Sequence, residues 1–110
     1  MHYLALGRYT PQGAAGVLKD GLTSRKDVVR GLMEATGGRL IGLWGVDSGD
    51  VDFVILMEGE QSPAEGTAVS LGQKSMGHLA EIRTYRLVET EDVDATLQRM
   101  NTVTRAPGEG

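Results

Sequence analysis

The stretch that most constrains the fold is residues 39–58, in which two apolar runs flank a short polar turn. The first run is Arg39-Leu-Ile-Gly-Leu-Trp-Gly-Val46 and the second is Val51-Asp-Phe-Val-Ile-Leu-Met57, with Asp-Ser-Gly-Asp between them. Such runs around four turn-forming residues predict a β-hairpin. Asp52 is the only charged residue of the second run, so this strand is expected to be covered on both faces.

Composition and net charge limit the kinds of protein to which this chain can belong. The 110 residues are 40% apolar and 24% charged, which predicts one globular domain. The net charge of −4 argues against a surface for nucleic acid or an anionic membrane. The absence of cysteine excludes disulfides and thiolate chemistry. No apolar stretch is long enough to span a membrane and the first 20 residues do not resemble a signal peptide, so a soluble, cytoplasmic protein is expected.

The first part of the chain predicts a strand and two helices. A weak alternation indicates a strand over His2–Tyr9. Thr10-Pro11 is typical of an N-cap followed by proline at the first helical position, and predicts a short helix to Lys19. A longer helix is expected to begin at a Thr23 or Ser24 cap, with Asp27 in its first turn, and to end at Gly37-Gly38.

The second part predicts a helix, a strand and a final helix. Ser62-Pro63-Ala64-Glu65 predicts a capping box that begins a helix to about Ser75, ended by Gly77. Its inward side chains are expected to be Ala68 and Leu71, with Val69 and Met76 as further candidates. Residues 78–88 are expected to form the fourth strand, with Leu79, Tyr85 and Leu87 on one face. Thr90 is expected to cap a helix that carries Val93, Leu97 and Met100.

This order of elements predicts an α+β, ferredoxin-like βαββαβ fold with a C-terminal helix. One domain is expected over residues 1–101 and a loose tail over 102–110. Helices should cover one face of a four-stranded antiparallel sheet. The other face also carries apolar residues, and a second copy of the chain is its simplest cover.

The sequence resembles the GYD domain family over about residues 2–100. The resemblance is carried by these matches: Gln12-Gly13, Gly37-Gly38-Arg39-Leu40, Trp44, residues 49–54, Ile82-Arg83-Thr84 and Leu87. Val51 stands where the family's tyrosine is expected, so any role of that phenol is absent here. The resemblance implies a dimeric α+β barrel in which the sheets of two chains face each other. It implies no activity.

Asp52 and His78 are the candidates for proton transfer. Asp52 interrupts an apolar strand, where an unpaired carboxylate is costly. It is either a base with a raised pKa or a carboxylate that binds the turn or pairs with Arg39 or Arg83. His2 and His78 begin strands, are expected at opposite ends of the sheet, and fit ordinary surface positions as well as catalytic ones. No spacing typical of a metal site occurs, and neither a metal nor another cofactor is expected.

Arg83 and Tyr85 are the candidates for ligand binding, since they share one face of the fourth strand. With Trp44 and Asp52 they could line a pocket in which the arginine binds an anionic group. The alternative is an ion pair of Arg83 with Glu81 or Asp52 at a subunit interface. The glycine pairs Gly13/Gly16 and Gly45/Gly49 lack the context of a phosphate loop.

Three functions are compatible with these patterns. The first is a homo-oligomeric protein that holds a small apolar or weakly anionic molecule, either between the sheet and the helices or between two sheets. The second is a cofactor-independent enzyme, monooxygenase-like or isomerase-like, which would need a proton-transfer group in a pocket. The third is a structural module whose apolar sheet face serves assembly alone. The expected partners are a second copy and a small molecule.

Overall fold

The structure, a computed structural model, describes residues 1–104. The strands are β1 (His2–Tyr9), β2 (Arg39–Gly45), β3 (Phe53–Glu58) and β4 (Leu79–Leu87). The helices are α1 (Pro11–Asp20), α2 (Leu22–Ala35), α3 (Pro63–Ser75) and α4 (Thr90–Thr104). The sheet is antiparallel in the order β2-β3-β1-β4, which confirms the predicted ferredoxin-like fold.

The helix caps predicted at Thr10 and Ser62 are both present in the structure. Thr10 Oγ1 accepts from the Gly13 amide, and Ser62 and Glu65 form the predicted capping box. Gly37 and Gly77 follow α2 and α3 with φ of 77° and 73°, the left-handed conformation that glycine adopts without strain. These residues end the two helices as predicted.

The start of α2 was predicted wrongly. The helix begins at Leu22 after Gly21, so neither Thr23 nor Ser24 caps it. Asp27 therefore lies beyond the first turn, where its carboxylate pairs with Arg30 at 2.9 Å. Gly21 takes φ of 85° and joins α1 directly to α2, which leaves no room for a separate cap.

The core lies between the sheet and the helices. Its buried members are Ala5, Met33, Leu40, Leu43, Phe53 and Ile55, and Val29 of α2 and Val69 of α3 pack against them. Phe53 and Ile55 alternate with the half-buried Val54 and Leu56 on the other side of β3, as the sequence predicted. One side of β3 therefore belongs to this chain's own core.

Two details of the core differ from expectation. Ala68 and Leu71 of α3 and Met76, which follows it, are exposed, because this helix packs mainly against the edge strand β4 and buries none of its residues fully. Leu79 packs toward the core beside Ile82, and not on the face of Tyr85. The cause is an irregularity in the β1–β4 pairing at Arg8/Tyr9, which shifts the alternation of β4.

The C-terminal helix extends further than expected. α4 continues to Thr104, three residues into the segment predicted as a loose tail, and residues 105–110 lie outside the described part of the chain. No helix within residues 1–104 is long and apolar enough to cross a membrane.

Candidate functional site

The side of the sheet that faces away from α2 and α3, here called the open face, is arranged in three rows across the four strands. The strand register aligns one residue of each strand in every row. The rows are Trp44-Val54-Leu6-Arg83, Gly42-Leu56-Leu4-Tyr85 and Arg39-Glu58-His2-Leu87. In the first two rows the inner strands contribute aliphatic side chains, whereas the third row carries the charged Arg39 and Glu58 beside His2.

Two of the predicted ligand-binding residues are neighbours on this face. Arg83 and Tyr85 lie in adjacent rows on β4, and both line a depression of about 250 Å³ at one end of the open face. The depression, here called the charged depression, is formed by Leu6, Gly7, Arg8, Asp50, Val51, Glu81, Arg83 and Tyr85. Arg83 and Tyr85 therefore share one concave surface, and their role in ligand binding stays a prediction.

Trp44 lies on the same face but not in that depression. It is on the edge strand β2, three strand spacings from Arg83, or roughly 14 Å. Its indole ring leans over Gly42, whose missing side chain makes the space for it. Trp44 remains 51% exposed, and the expected pocket of Trp44 with Arg83 and Tyr85 does not form within one chain.

Ion pairs organise the charged depression. Glu81 accepts hydrogen bonds from Arg83 Nε at 2.5 Å and from Arg8 at 3.1 Å, both within one chain. The alternative considered from the sequence named Glu81 as a partner of Arg83 but placed the pair at a subunit interface. The hydrogen bond from Arg83 holds the pKa of the Glu81 carboxyl below its usual value, and the Arg83 charge adds to this effect. The same partner raises the pKa of Arg83. Both groups are therefore charged at neutral pH.

The hairpin turn supplies the acidic side of the depression. The Ser48 hydroxyl bonds to the Asp50 carboxylate and accepts from the amides of Asp50 and Val51. The bond from Ser48 is the main cause that lowers the pKa of Asp50, with smaller contributions from Arg8 and Arg83. Val51, which replaces the family's expected tyrosine, lies half-buried between these charges.

Asp52 has a structural partner. Its carboxylate accepts a hydrogen bond from the Tyr9 amide at 2.8 Å, and its own backbone bonds to Gly7 and Val46. The alternative considered from the sequence placed the donor in the turn, whereas the donor is the Tyr9 amide at the end of β1. Asp52 pairs with neither Arg39 nor Arg83 among the ion pairs of residues 1–104.

His78 lies outside the depression as well. It precedes β4, and its carbonyl accepts from the Thr10 amide at 2.9 Å. His2 lies at the other end of β1, beside Glu58 at 3.3 Å, so the two histidines are at opposite ends as expected. Residues 1–104 hold no group of three or more His, Cys, Asp or Glu side chains that could bind a metal.

The sequence did not predict a polar cluster beneath α1. Burial raises the pKa of Tyr9, the positive charge of Arg25 opposes this shift, and Asp52 adds to it. The Tyr9 ring packs against Phe53 with a centroid distance of 4.9 Å. Gly16 makes room for the Arg25 guanidinium and Gly13 for the His78 carbonyl. The one-turn spacing of these glycines was the available signal for such close approach.

The larger concavity lies on the other side of the sheet, between the sheet and α3. This helix-side groove has a volume of about 750 Å³. Met33, Ile55, Met57 and Ile82 form its apolar floor, and Lys74 and Arg86 lie at its rim. Neither cation belongs to an ion pair within the described residues. Glu60, also at the rim, pairs with the N-terminal ammonium at 3.4 Å.

Comparison with known proteins decides the family. The model of the GYD domain matches residues 3–97, which include all of the sheet except His2 and most of the helices. This chain belongs to the GYD domain family. The solved structure of an uncharacterized NIPSNAP domain protein from Burkholderia xenovorans is similar to this GYD domain, with 18% sequence identity, a TM-score of 0.49, and coverage of 81% of this chain and 93% of that one. No curated protein matches the GYD chain.

Proposed function

We propose that this GYD domain is a homodimeric binding protein that holds a small, mostly apolar molecule with one anionic group in the helix-side groove. The observation that carries the proposal is the groove itself, with a volume of about 750 Å³ and a floor made by the buried Met33 and Ile55. Ligand sites typically measure roughly 300–1,000 Å³ and combine apolar walls with a few polar groups. The charged depression, at about 250 Å³, falls below that range.

The charges at the rim favour an anionic ligand. Lys74 and Arg86 approach the groove from α3 and β4, and the N-terminal ammonium offsets the charge of Glu60. A guanidinium and an ammonium beside an apolar floor favour a carboxylate or phosphate attached to a hydrocarbon body. The apolar part would displace water from the floor and the anionic group would remain at the rim.

We propose that two copies of the chain associate through their open faces. The central side chains of this face, Leu4, Leu6, Val54 and Leu56, are only half-buried within one chain, and Trp44, Tyr85 and Leu87 are exposed. Contiguous apolar surface of this extent favours a protein partner. A second open face related by two-fold symmetry matches it in chemistry, because the aliphatic centre meets aliphatic groups and the charged edges lie outside.

Two probes of equal chain length test the binding proposal: decanoate and decanol. We expect native mass spectrometry to detect one decanoate per chain and thermal unfolding to shift upward, with decanol bound more weakly. Arg86→Gln should remove the preference for decanoate. Arg30→Gln, which removes an exposed arginine of α2 that does not line the groove, is the matched control and should retain it. Failure of both probes to bind would contradict the ligand proposal and favour the structural module.

No observation favours the enzyme alternative over binding. An enzyme of that kind needs a proton-transfer group in a cavity. The Asp52 carboxylate accepts a hydrogen bond from the end of β1. Neither Asp52 nor His78 lines the helix-side groove or the charged depression.

A further inference from the structure

The charged depression contains two groups of opposite charge that do not pair with each other. Glu81 bridges Arg8 and Arg83, so this cluster of three side chains carries a net positive charge. Asp50, on the hairpin turn, bonds to the neutral hydroxyl of Ser48 and keeps its negative charge. Among the ion pairs of residues 1–104, none includes Asp50.

The chain itself holds these two groups apart. After the Ser48 hydrogen bond, the charges of Arg8 and Arg83 are among the causes that lower the pKa of Asp50, so both cations act on this carboxylate across the depression. Each guanidinium is held by Glu81, and Asp50 is held by Ser48 within its own turn. A ligand with two opposite charges would therefore meet partners that are already in place, which lowers the cost of binding.

The arginines have donors left for a second anion. Glu81 accepts from one N–H of Arg8 and from one N–H of Arg83. A guanidinium has five N–H donors, and two of them can bind a carboxylate side by side. A carboxylate could therefore bind this cluster without displacing Glu81.

The remaining wall of the depression is apolar and the space is small. Leu6 and Val51 are half-buried members of the wall, and the Tyr85 side chain stands beside them. The volume of about 250 Å³ is below the range for drug-sized ligands, but a single amino acid is smaller than such ligands.

We propose that the charged depression binds a small zwitterion of the α-amino acid class with an aliphatic side chain. The carboxylate would bind Arg8 and Arg83, the ammonium would bind Asp50, and the side chain would contact Leu6 and Val51. All of these residues belong to one chain, and the depression and the helix-side groove lie on opposite sides of the sheet. The inference therefore rests neither on the proposed dimer nor on the ligand proposed for the groove.

Three probes of similar shape test this inference in NMR titrations of the full chain. L-valine carries both charges, isovalerate lacks the ammonium, and isobutylamine lacks the carboxylate. We expect L-valine to shift the amide signals of Asp50, Val51 and Arg83, with a Kd lower than that of either other probe by roughly tenfold or more.

Two variants, each with a matched control, assign the two charged groups. Asp50→Asn retains an oxygen for the Ser48 hydroxyl and should raise the Kd of L-valine to that of isovalerate. Asp47→Asn, in the same turn but outside the depression, should leave it unchanged. Arg83→Gln should raise the Kd by roughly tenfold. Arg39→Gln, in the third row of the open face and outside the depression, should not.

The outcomes decide the inference without involving the groove. Isovalerate bound as tightly as L-valine would overturn it, because the depression would then bind an anion alone. An absence of shifts with all three probes would overturn it as well, since the charges would then be solvated only. A folded Asp50→Asn variant that binds L-valine like the wild type would remove the proposed partner of the ammonium and overturn it. Decanoate binding tests the proposed function separately in every case.

Discussion

The carboxylate of Asp52 accepts a hydrogen bond from the backbone amide of Tyr9, with 2.8 Å between Oδ2 and the amide nitrogen. This bond joins the hairpin to the end of β1. The sequence marks Asp52 because a charge interrupts an apolar run, but it does not say which donor satisfies that charge. The donor is a backbone amide 43 residues away, which only the sheet register brings near. The sequence pattern therefore identified Asp52, but only the tertiary structure shows which group its carboxylate binds.

Removal of this bond should cost stability and leave ligand binding unchanged. Asp52→Ala is expected to lower the free energy of unfolding by about 1 kcal/mol, the usual net contribution of such a hydrogen bond. Asp47→Ala, in the same connection and exposed, is the control and should change stability little. Urea denaturation measures both. Loss of decanoate binding in a folded Asp52→Ala variant would instead return Asp52 to the candidates for a functional role.

Two helical glycines should respond oppositely to the same substitution. Gly31 is exposed within α2 and a methyl group there meets nothing within 4 Å, so Gly31→Ala should stabilise the chain by about 0.5–1 kcal/mol. A methyl group on Gly13 would collide with the His78 carbonyl, so Gly13→Ala should destabilise it despite the better helix propensity. Equal urea midpoints for the two variants would show that α1 does not approach the His78 carbonyl closely enough to exclude a methyl group at Gly13.

The pKa of Glu81 predicts a pH dependence. The hydrogen bond and charge of Arg83 hold it below the value of an unfolded chain, so the folded state binds its proton less readily. Its stabilising contribution is therefore present above the unfolded pKa and is lost as the pH falls through the folded pKa. In an NMR titration, Arg83→Ala should move the Glu81 pKa upward, toward its ordinary value. An unchanged Glu81 pKa in that variant would mean that Arg8 alone holds the carboxylate.

Much of the fold could be predicted from local patterns, because the signals were chemically specific. The capping box at Ser62, proline after Thr10 and the glycines at 37 and 77 each satisfy a particular backbone requirement. The start of α2 was missed because Gly21 ends one helix and precedes the next without a side-chain cap.

The candidate site could be predicted only in part. Alternation placed Arg83 and Tyr85 on one face correctly, since they lie beyond the irregularity in β4 that displaced Leu79. The distance of Trp44 from them depends on strand order, which period-2 patterning does not determine. The helix-side groove depends on how far α3 lies from the sheet, and its glycine-containing sequence carries no signal for that distance.

Dimerisation through the open face is tested most directly by comparing Val54→Asp with Phe53→Asp. These adjacent residues of β3 point to opposite sides: Phe53 is buried in the core at 3% exposure, and Val54 lies in the first row of the open face. Phe53→Asp should unfold the chain, because an unpaired charge in the core costs about 4–5 kcal/mol or more, a large part of the stability of a small domain.

Sedimentation equilibrium of the wild type and Val54→Asp is the deciding measurement. We expect the wild type to be a dimer and Val54→Asp to be a folded chain whose dimer Kd is raised by roughly 100-fold, about 2.7 kcal/mol. A monomeric wild type, or a Val54→Asp variant that dimerises as tightly as the wild type, would contradict this expectation.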